Sequence, residues 1–204
     1  MLNDGLEEKD INLENRRNIL NGLKIIEKES KRCSSIVNNL RQFSRRSKSE
    51  EKKPTNVNNV IEDALAITEY QIKRDNINII KEFDCNLPET IGDANQLEQV
   101  FINMITNARD AMSKGGTLTI TTKKANVNSI EITFADTGCG IPKEIINEIF
   151  AFLFTTKEGG QGVGLGLGIC QDIITNHKGN IRVDSEVGRG TAFTIQLPVQ
   201  SKTS

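Results

Sequence analysis

The sequence predicts an α+β protein: a two-layer α/β sandwich preceded by one long helix. Three observations carry this. Apolar and small residues between 11 and 47 recur alternately four and three positions apart. From residue 57 onward, helical periods alternate with short runs of period two. Glycines cluster twice, in "DTGCGI" at 136–141 and in "GVGLGLGI" at 162–169. Glycine at that density weakens a fold, so it needs turns or a close ligand to justify it.

The totals bound the possibilities. The chain has 204 residues, 36% hydrophobic and 26% charged, with a formal net charge of −1. That suits one ordinary domain with an appendage and gives no global field to recruit nucleic acid or a membrane. The sequence shows no signal peptide and no apolar run of membrane-span length, so a cytoplasmic setting without membrane contact is expected. Cys33, Cys85, Cys139 and Cys170 form no CxxC pair, and there is one histidine, which argues for reduced thiols rather than zinc.

Along the chain, residues 11–47 read as a helix whose seam is Ile19, Leu23, Ile26, Ser30, Cys33, Val37, Leu40 and Ser44. Ile36 and Phe43 widen the stripe toward that of a four-helix bundle, so a homodimer through this helix is expected; packing on its own domain is the alternative. Residues 48–56, charged and broken by Pro54, read as a linker. Residues 57–75 read as a helix with Val60, Ala64, Leu65 and Ile67 on its buried side. "INIIKEF" is a strand. Residues 94–113 are a helix that Asp93 caps. "TLTITTK" and "SIEITFAD" alternate as strands, the second ending in Asp136. The second glycine cluster opens a helix over about 165–177. "NIRVDSEV" and "TAFTIQLPV" form a hairpin across "GRG". One sheet with a polar-tolerant face and an apolar face takes its helices on the apolar side. The globular domain is thus expected over 57–200, and 1–47 as part of a helical hairpin.

Three constellations bear on chemistry. On the helix 94–113, Asn103, Asn107 and Asp110 succeed one another at spacings of four and three beside the apolar stripe. Alone they read first as a solvated helix edge, though an amide oxygen is also a hard ligand suited to Mg²⁺. Asp136 ends a strand and leads into Gly138 and Gly140. A carboxylate there can accept from the exocyclic amine of adenine, while an acid in a turn is the plain alternative. "GVGLGLGI" opens a helix whose free N–H groups favour phosphate oxygens, though GxGxG alone is common.

Their order is specific. An asparagine helix, DxGxG, a Phe–Thr–Thr–Lys segment, GxGxG and then GxGTxF together resemble the catalytic ATP-binding domain of sensor histidine kinases. That domain belongs to a superfamily shared with gyrase, the heat-shock chaperone of about ninety kilodaltons and mismatch-repair ATPases. The resemblance covers about residues 57–199. The helix "IIEKESKRCSSIVNNLRQFSR" resembles the second helix of the dimerisation and phosphotransfer hairpin. The resemblance implies a Bergerat-type fold, a mixed sheet with helices on one face. It implies that Asn107 holds Mg²⁺ and that Asn103 lines the phosphates of ATP. Asp136 would read adenine, with Gly138, Gly140 and Ile141 beside it and Thr191 supporting the aspartate. Phe150 and Phe154 would anchor a lid over residues 151–163, in which Thr155, Thr156 and Lys157 approach the phosphates. Gly162, Val163, Gly164, Leu165 and Gly166 would cradle them.

The departures also inform. Asp110 stands where many relatives carry lysine, which puts weight on Lys157 as the extra cation, and "FAFLF" lacks the lid proline of many relatives. Asn103 stands where the ATP-hydrolysing relatives carry a glutamate, and an amide is no general base. The resemblance therefore implies transfer of the γ-phosphoryl group to a histidine, for relay to a response-regulator receiver domain. The histidine would lie upstream, since His177 in "ITNHKGN" sits at a structural turn. A non-catalytic ATP-binding module and an anti-sigma-factor-type serine kinase are the competing readings.

Overall fold

The computed structural model describes residues 15–27, 29–30, 52–156 and 164–199. These fall into two units. One contains the helical residues 15–27 and 29–30 together with Thr155 and Thr156; the other holds residues 52–154 and 164–199. In the first unit Ile19, Leu23 and Ile26 are exposed, as are Leu20 and Ile25. The rest of the expected seam, from Cys33 to Ser44, lies outside the described residues.

The second unit is a five-stranded mixed sheet under a layer of three helices. Its elements are β1 (Lys53–Thr55), α1 (Val57–Arg74), β2 (Ile77–Phe83), β3 (Thr90–Gly92), α2 (Ala94–Ala111), β4 (Gly116–Asn126), β5 (Ser129–Asp136), α3 (Gly166–Asn176), β6 (Asn180–Glu186) and β7 (Gly190–Pro198). The main sheet runs β2-β4-β5-β7-β6, with β2 parallel to β4 and every other pair antiparallel. Helix α2 lies between α1 and α3 and also packs on β5.

Local chemistry explains where the helices start. The Asn56 side chain accepts from the Asn59 amide at 3.2 Å and starts α1. The Asp93 carboxylate accepts from the Asn95 and Gln96 amides at 3.0 and 3.3 Å and starts α2, as expected. Two readings are corrected. Ile67 is 60% exposed. The buried stripe of α1 centres on Ile61, Leu65, Thr68 and Ile72, and Ile67 lies roughly a quarter-turn or more away from that centre. Within the expected linker, Lys53–Thr55 is a strand paired antiparallel with Thr90–Gly92. Pro54 is tolerated because β1 pairs with β3 along one edge only.

Register aligns the helix-facing side chains of four neighbouring strands in rows. One row is Thr122, Ile132, Ile195 and Ile181; the next is Ile120, Phe134, Phe193 and Val183. Phe134 packs on Phe101 of α2 with ring centroids 5.7 Å apart. The last row is Leu118, Asp136, Thr191 and Ser185. A face whose inner rows are apolar apart from Thr122 ends in three polar side chains.

Candidate functional site

Asp136 is 8% exposed at the end of β5. Its carboxylate accepts from the Gly138 amide at 2.8 Å. Burial pushes its pKa above the ordinary carboxylate value, while the amides of Gly138 and Thr191 pull the other way. A buried carboxylate held by backbone amides can accept from an uncharged donor such as an adenine amine.

The turn after Asp136 is fixed by close approach. A Cβ on Gly138 would lie 2.7 Å from the Ala111 carbonyl oxygen and from Asp136 Oδ1. Gly140 has φ +73°, and a Cβ there would sit 2.2 Å from the Glu186 carbonyl oxygen. Cys139 donates its N–H to the Ala111 carbonyl at 3.0 Å and accepts from the Gly188 amide at 2.9 Å. The turn is thereby bound to the end of α2 and to the β6–β7 hairpin.

Sequence reasoning missed Ser185. Its Oγ accepts from the Ile141 amide at 2.8 Å, lies 2.9 Å from the Gly190 carbonyl to which it donates, and lies 2.9 Å from Thr191 Oγ1. The signal is present in the strand: Ile181, Val183 and Ser185 share one parity, so Ser185 is a polar residue at an inward position. Thr191 is buried, its amide serving Asp136 and its hydroxyl facing Ser185.

Among the described residues no side-chain cap is seen at the start of helix α3. Leu165, at the N-cap position, makes no side-chain cap hydrogen bond. First-turn amides of this kind, at the positive end of a helix, suit an anion. Gly164, with φ +69°, accepts at its carbonyl from the Leu153 amide at 2.9 Å. A Cβ on Gly166 would lie 3.4 Å from Asn103 Oδ1, so this helix start and α2 approach one another. Cys170, fully buried on α3, is near the Asn103 side chain, and burial pushes its thiol up to about 12. Phe150 meets Phe193 edge-on at 6.5 Å.

Asn107 is half-buried one turn from Asn103 on α2, and its side chain makes no hydrogen bond among the described residues. Those residues hold no cluster of three His, Cys, Asp or Glu groups for a metal. One neutral amide oxygen fits Mg²⁺, which keeps several waters and binds mainly through phosphates. Asp110 continues the same stripe. Its carboxylate accepts from Arg109 Nη2 at 2.5 Å and from Nε at 3.0 Å. It lines a surface cavity of 570 Å³ with Arg74, Asp75 and Lys114, apart from Asn103, Asn107 and Asp136.

The structure therefore brings together Asp136, Gly138, Gly140, Ile141 and Thr191, and separately Asn103 with Gly166 at the start of α3. Thr155 and Thr156 belong to the other unit. Lys157, Gly162 and Val163 lie outside the described residues, as does most of the expected lid. His177 is 2% exposed. Its Nδ1 lies 2.7 Å from the Ile173 carbonyl, to which it donates, and its Nε2 accepts from the Asp93 amide at 3.0 Å. Both ring nitrogens are committed, and burial pushes its pKa down. Among the described residues no helix is long and apolar enough to cross a membrane.

Comparison with known proteins identifies the family and the fold. The family described as histidine kinase-, DNA gyrase B-, and HSP90-like ATPase matches residues 92–201. Over 174 residues the chain is 37% identical to Sporulation kinase A of Bacillus subtilis (strain 168), covering 85% of this chain and 28% of that protein. The chain spans less than a third of the length of Sporulation kinases A and C. Among solved structures, the catalytic domain of histidine kinase ThkA matches with a TM-score of 0.66 at 31% identity, covering 74% of this chain and 97% of that one. Histidine kinase ThkA in complex with the response regulator protein TrrA matches with a TM-score of 0.70 at 26% identity, covering 86% and 50%. The chain belongs to the family of histidine kinase-, DNA gyrase B-, and HSP90-like ATPases.

Proposed function

We propose that this chain is the ATP-binding kinase core of a two-component sensor histidine kinase. It transfers the γ-phosphoryl group of Mg-ATP to a histidine outside residues 1–204, for relay to a response-regulator aspartate. The observation that carries this reading is the buried Asp136 at the polar end of the sheet, with the uncapped start of α3 against Asn103 of α2.

Each role rests on chemistry. Asp136 accepts from the amine of adenine, and the Gly138–Ile141 turn gives the ring a backbone surface. The first-turn amides of α3 hold phosphate oxygens, with Asn103 beside them. Asn107 would hold Mg²⁺ through its amide oxygen, and the ion would supply charge to neutralise the phosphates. Phosphoryl transfer depends mostly on such positioning and neutralisation. Neither Asn103 nor Asn107 can deprotonate water, so ATP is kept for a side chain. The acceptor is not His177, whose nitrogens are occupied inside the fold. The response regulator as partner is supported by the ThkA–TrrA complex among the structural neighbours.

The experiment is label transfer. With γ-labelled ATP, the chain alone should stay unlabelled, and a separately supplied histidine-phosphotransfer fragment should gain acid-labile label. Strong label on His177, or no Mg-dependent ATP binding by calorimetry, overturns the reading.

A further inference from the structure

We propose that Ser185 is a positioning residue that fixes both the geometry and the hydrogen-bond polarity of the nucleotide site. The inference rests on the ATP reading above and assigns a role to a residue outside the recognised glycine motifs.

Donors and acceptors decide the matter. A serine hydroxyl has one hydrogen and two lone pairs. Three partners surround Ser185 Oγ, at 2.8, 2.9 and 2.9 Å. The Ile141 amide can only donate, and the Gly190 carbonyl can only accept. Ser185 therefore donates its hydrogen to Gly190, and the bond to Thr191 must be donated by Thr191. Every site on the serine is then filled.

The turn after Asp136 is thereby tied to the β6–β7 hairpin by a side chain as well as by the Cys139–Gly188 backbone bond. The Thr191 hydroxyl hydrogen, for its part, points away toward Ser185. Thr191 pairs with Asp136 across β5 and β7 and with Ser185 across β7 and β6, so the three stand in one row. Asp136 and Thr191 then offer acceptors only. Such a pair suits the amino group at position 6 of adenine and repels the oxo group of guanine at the same place.

The test measures ATP and GTP binding by calorimetry for the wild type, Ser185→Ala and Ser185→Thr. In Ser185→Ala the Ile141 amide loses its acceptor and the Thr191 hydroxyl becomes free to rotate and donate. ATP affinity should fall about tenfold, the scale of one buried hydrogen bond lost, and the preference for ATP over GTP should shrink by a similar factor. The Ile141 amide should exchange faster without nucleotide. Ser185→Thr keeps the hydroxyl and should restore both. Unchanged affinity and preference in Ser185→Ala, or no rescue by threonine, overturns the proposal. If Ser185→Ala does not fold, Ser185→Cys, with its weaker donor, should show an intermediate preference; an unchanged preference in Ser185→Cys counts equally against the idea. A wild type that binds no ATP defeats the kinase reading itself, whereas a wild type that prefers ATP beside a Ser185→Ala variant with the same affinity and the same preference defeats only the role of Ser185.

Discussion

Replacing Asp136 by asparagine separates stability from binding. The carboxylate is 8% exposed and accepts from the Gly138 amide at 2.8 Å. Asparagine is nearly the same size, and its oxygen can keep that bond. Its NH₂ group must then face either the Thr191 amide or the ligand, and it can accept from neither. A hydrogen bond from adenine to a charged acceptor is thereby lost, worth about 1.5–3 kcal/mol. That corresponds to roughly a tenfold to more than a hundredfold loss in ATP affinity. Folding stability responds in the opposite sense. Burial raises the native pKa of Asp136, so its contribution to stability is most favourable below the unfolded value and is lost as pH rises through the native one. At neutral pH the wild type carries the burden of a buried charge that asparagine lacks. Calorimetry should thus show much weaker ATP binding in a variant whose melting temperature hardly falls. Wild-type ATP affinity in Asp136→Asn would refute the adenine assignment.

Gly164→Ala places a Cβ at φ +69° and 2.4 Å from the Leu153 carbonyl carbon, so it should cost at least about 1–2 kcal/mol and weaken ATP binding, read by thermal unfolding and calorimetry. His177 is neutral in the native state with a depressed pKa, so its contribution is complete above its unfolded value near pH 6.5 and is lost as pH falls toward the lower native one. Melting curves from pH 7 to 5, taken in the Asp136→Asn background to remove the opposite linkage, should show this decline; a flat profile contradicts it. Ile19, Leu23 and Ile26 leave an apolar stripe 56–66% exposed, and such stripes seldom stay bare, so the chain should self-associate in sedimentation and Leu23→Glu should abolish it; a monomeric wild type at high micromolar concentration rejects the seam.

The elements legible in the sequence have a local cause. Strand β5 is legible to its actual bounds because Ile130, Ile132 and Phe134 alternate with smaller or polar residues up to Asp136. The start of α2 is legible because Asp93 caps within its own segment. Strand β1 is not, since three residues around a proline become a strand only by meeting Thr90–Gly92 far along the chain. Periodicity misplaces Ile67 because an apolar residue at the margin of a helical stripe is assigned by the neighbours packed against it, and those are tertiary.

The site repeats this division. Asp136 and the glycines announce themselves because an acid and bare backbones at a strand end are unusual. Ser185 does not, because a serine in a strand is ordinary until register shows which row it joins. Rows of Ile, Phe and Val can cover one another with no geometry beyond packing. A row of the buried Asp136 and Thr191 with the half-buried Ser185 must instead have each donor and acceptor matched. The amides of Gly138, Ile141 and Thr191, the carbonyl of Gly190 and the two hydroxyls supply that matching from within the fold. The acceptor capacity left on Asp136 and Thr191 is what the fold does not use itself. On the proposed reading, the place where the apolar face of the sheet runs out is also the place where a ligand with a donor amine would be recognised. A substitution in this row should alter which nucleotide binds before it alters whether the chain folds.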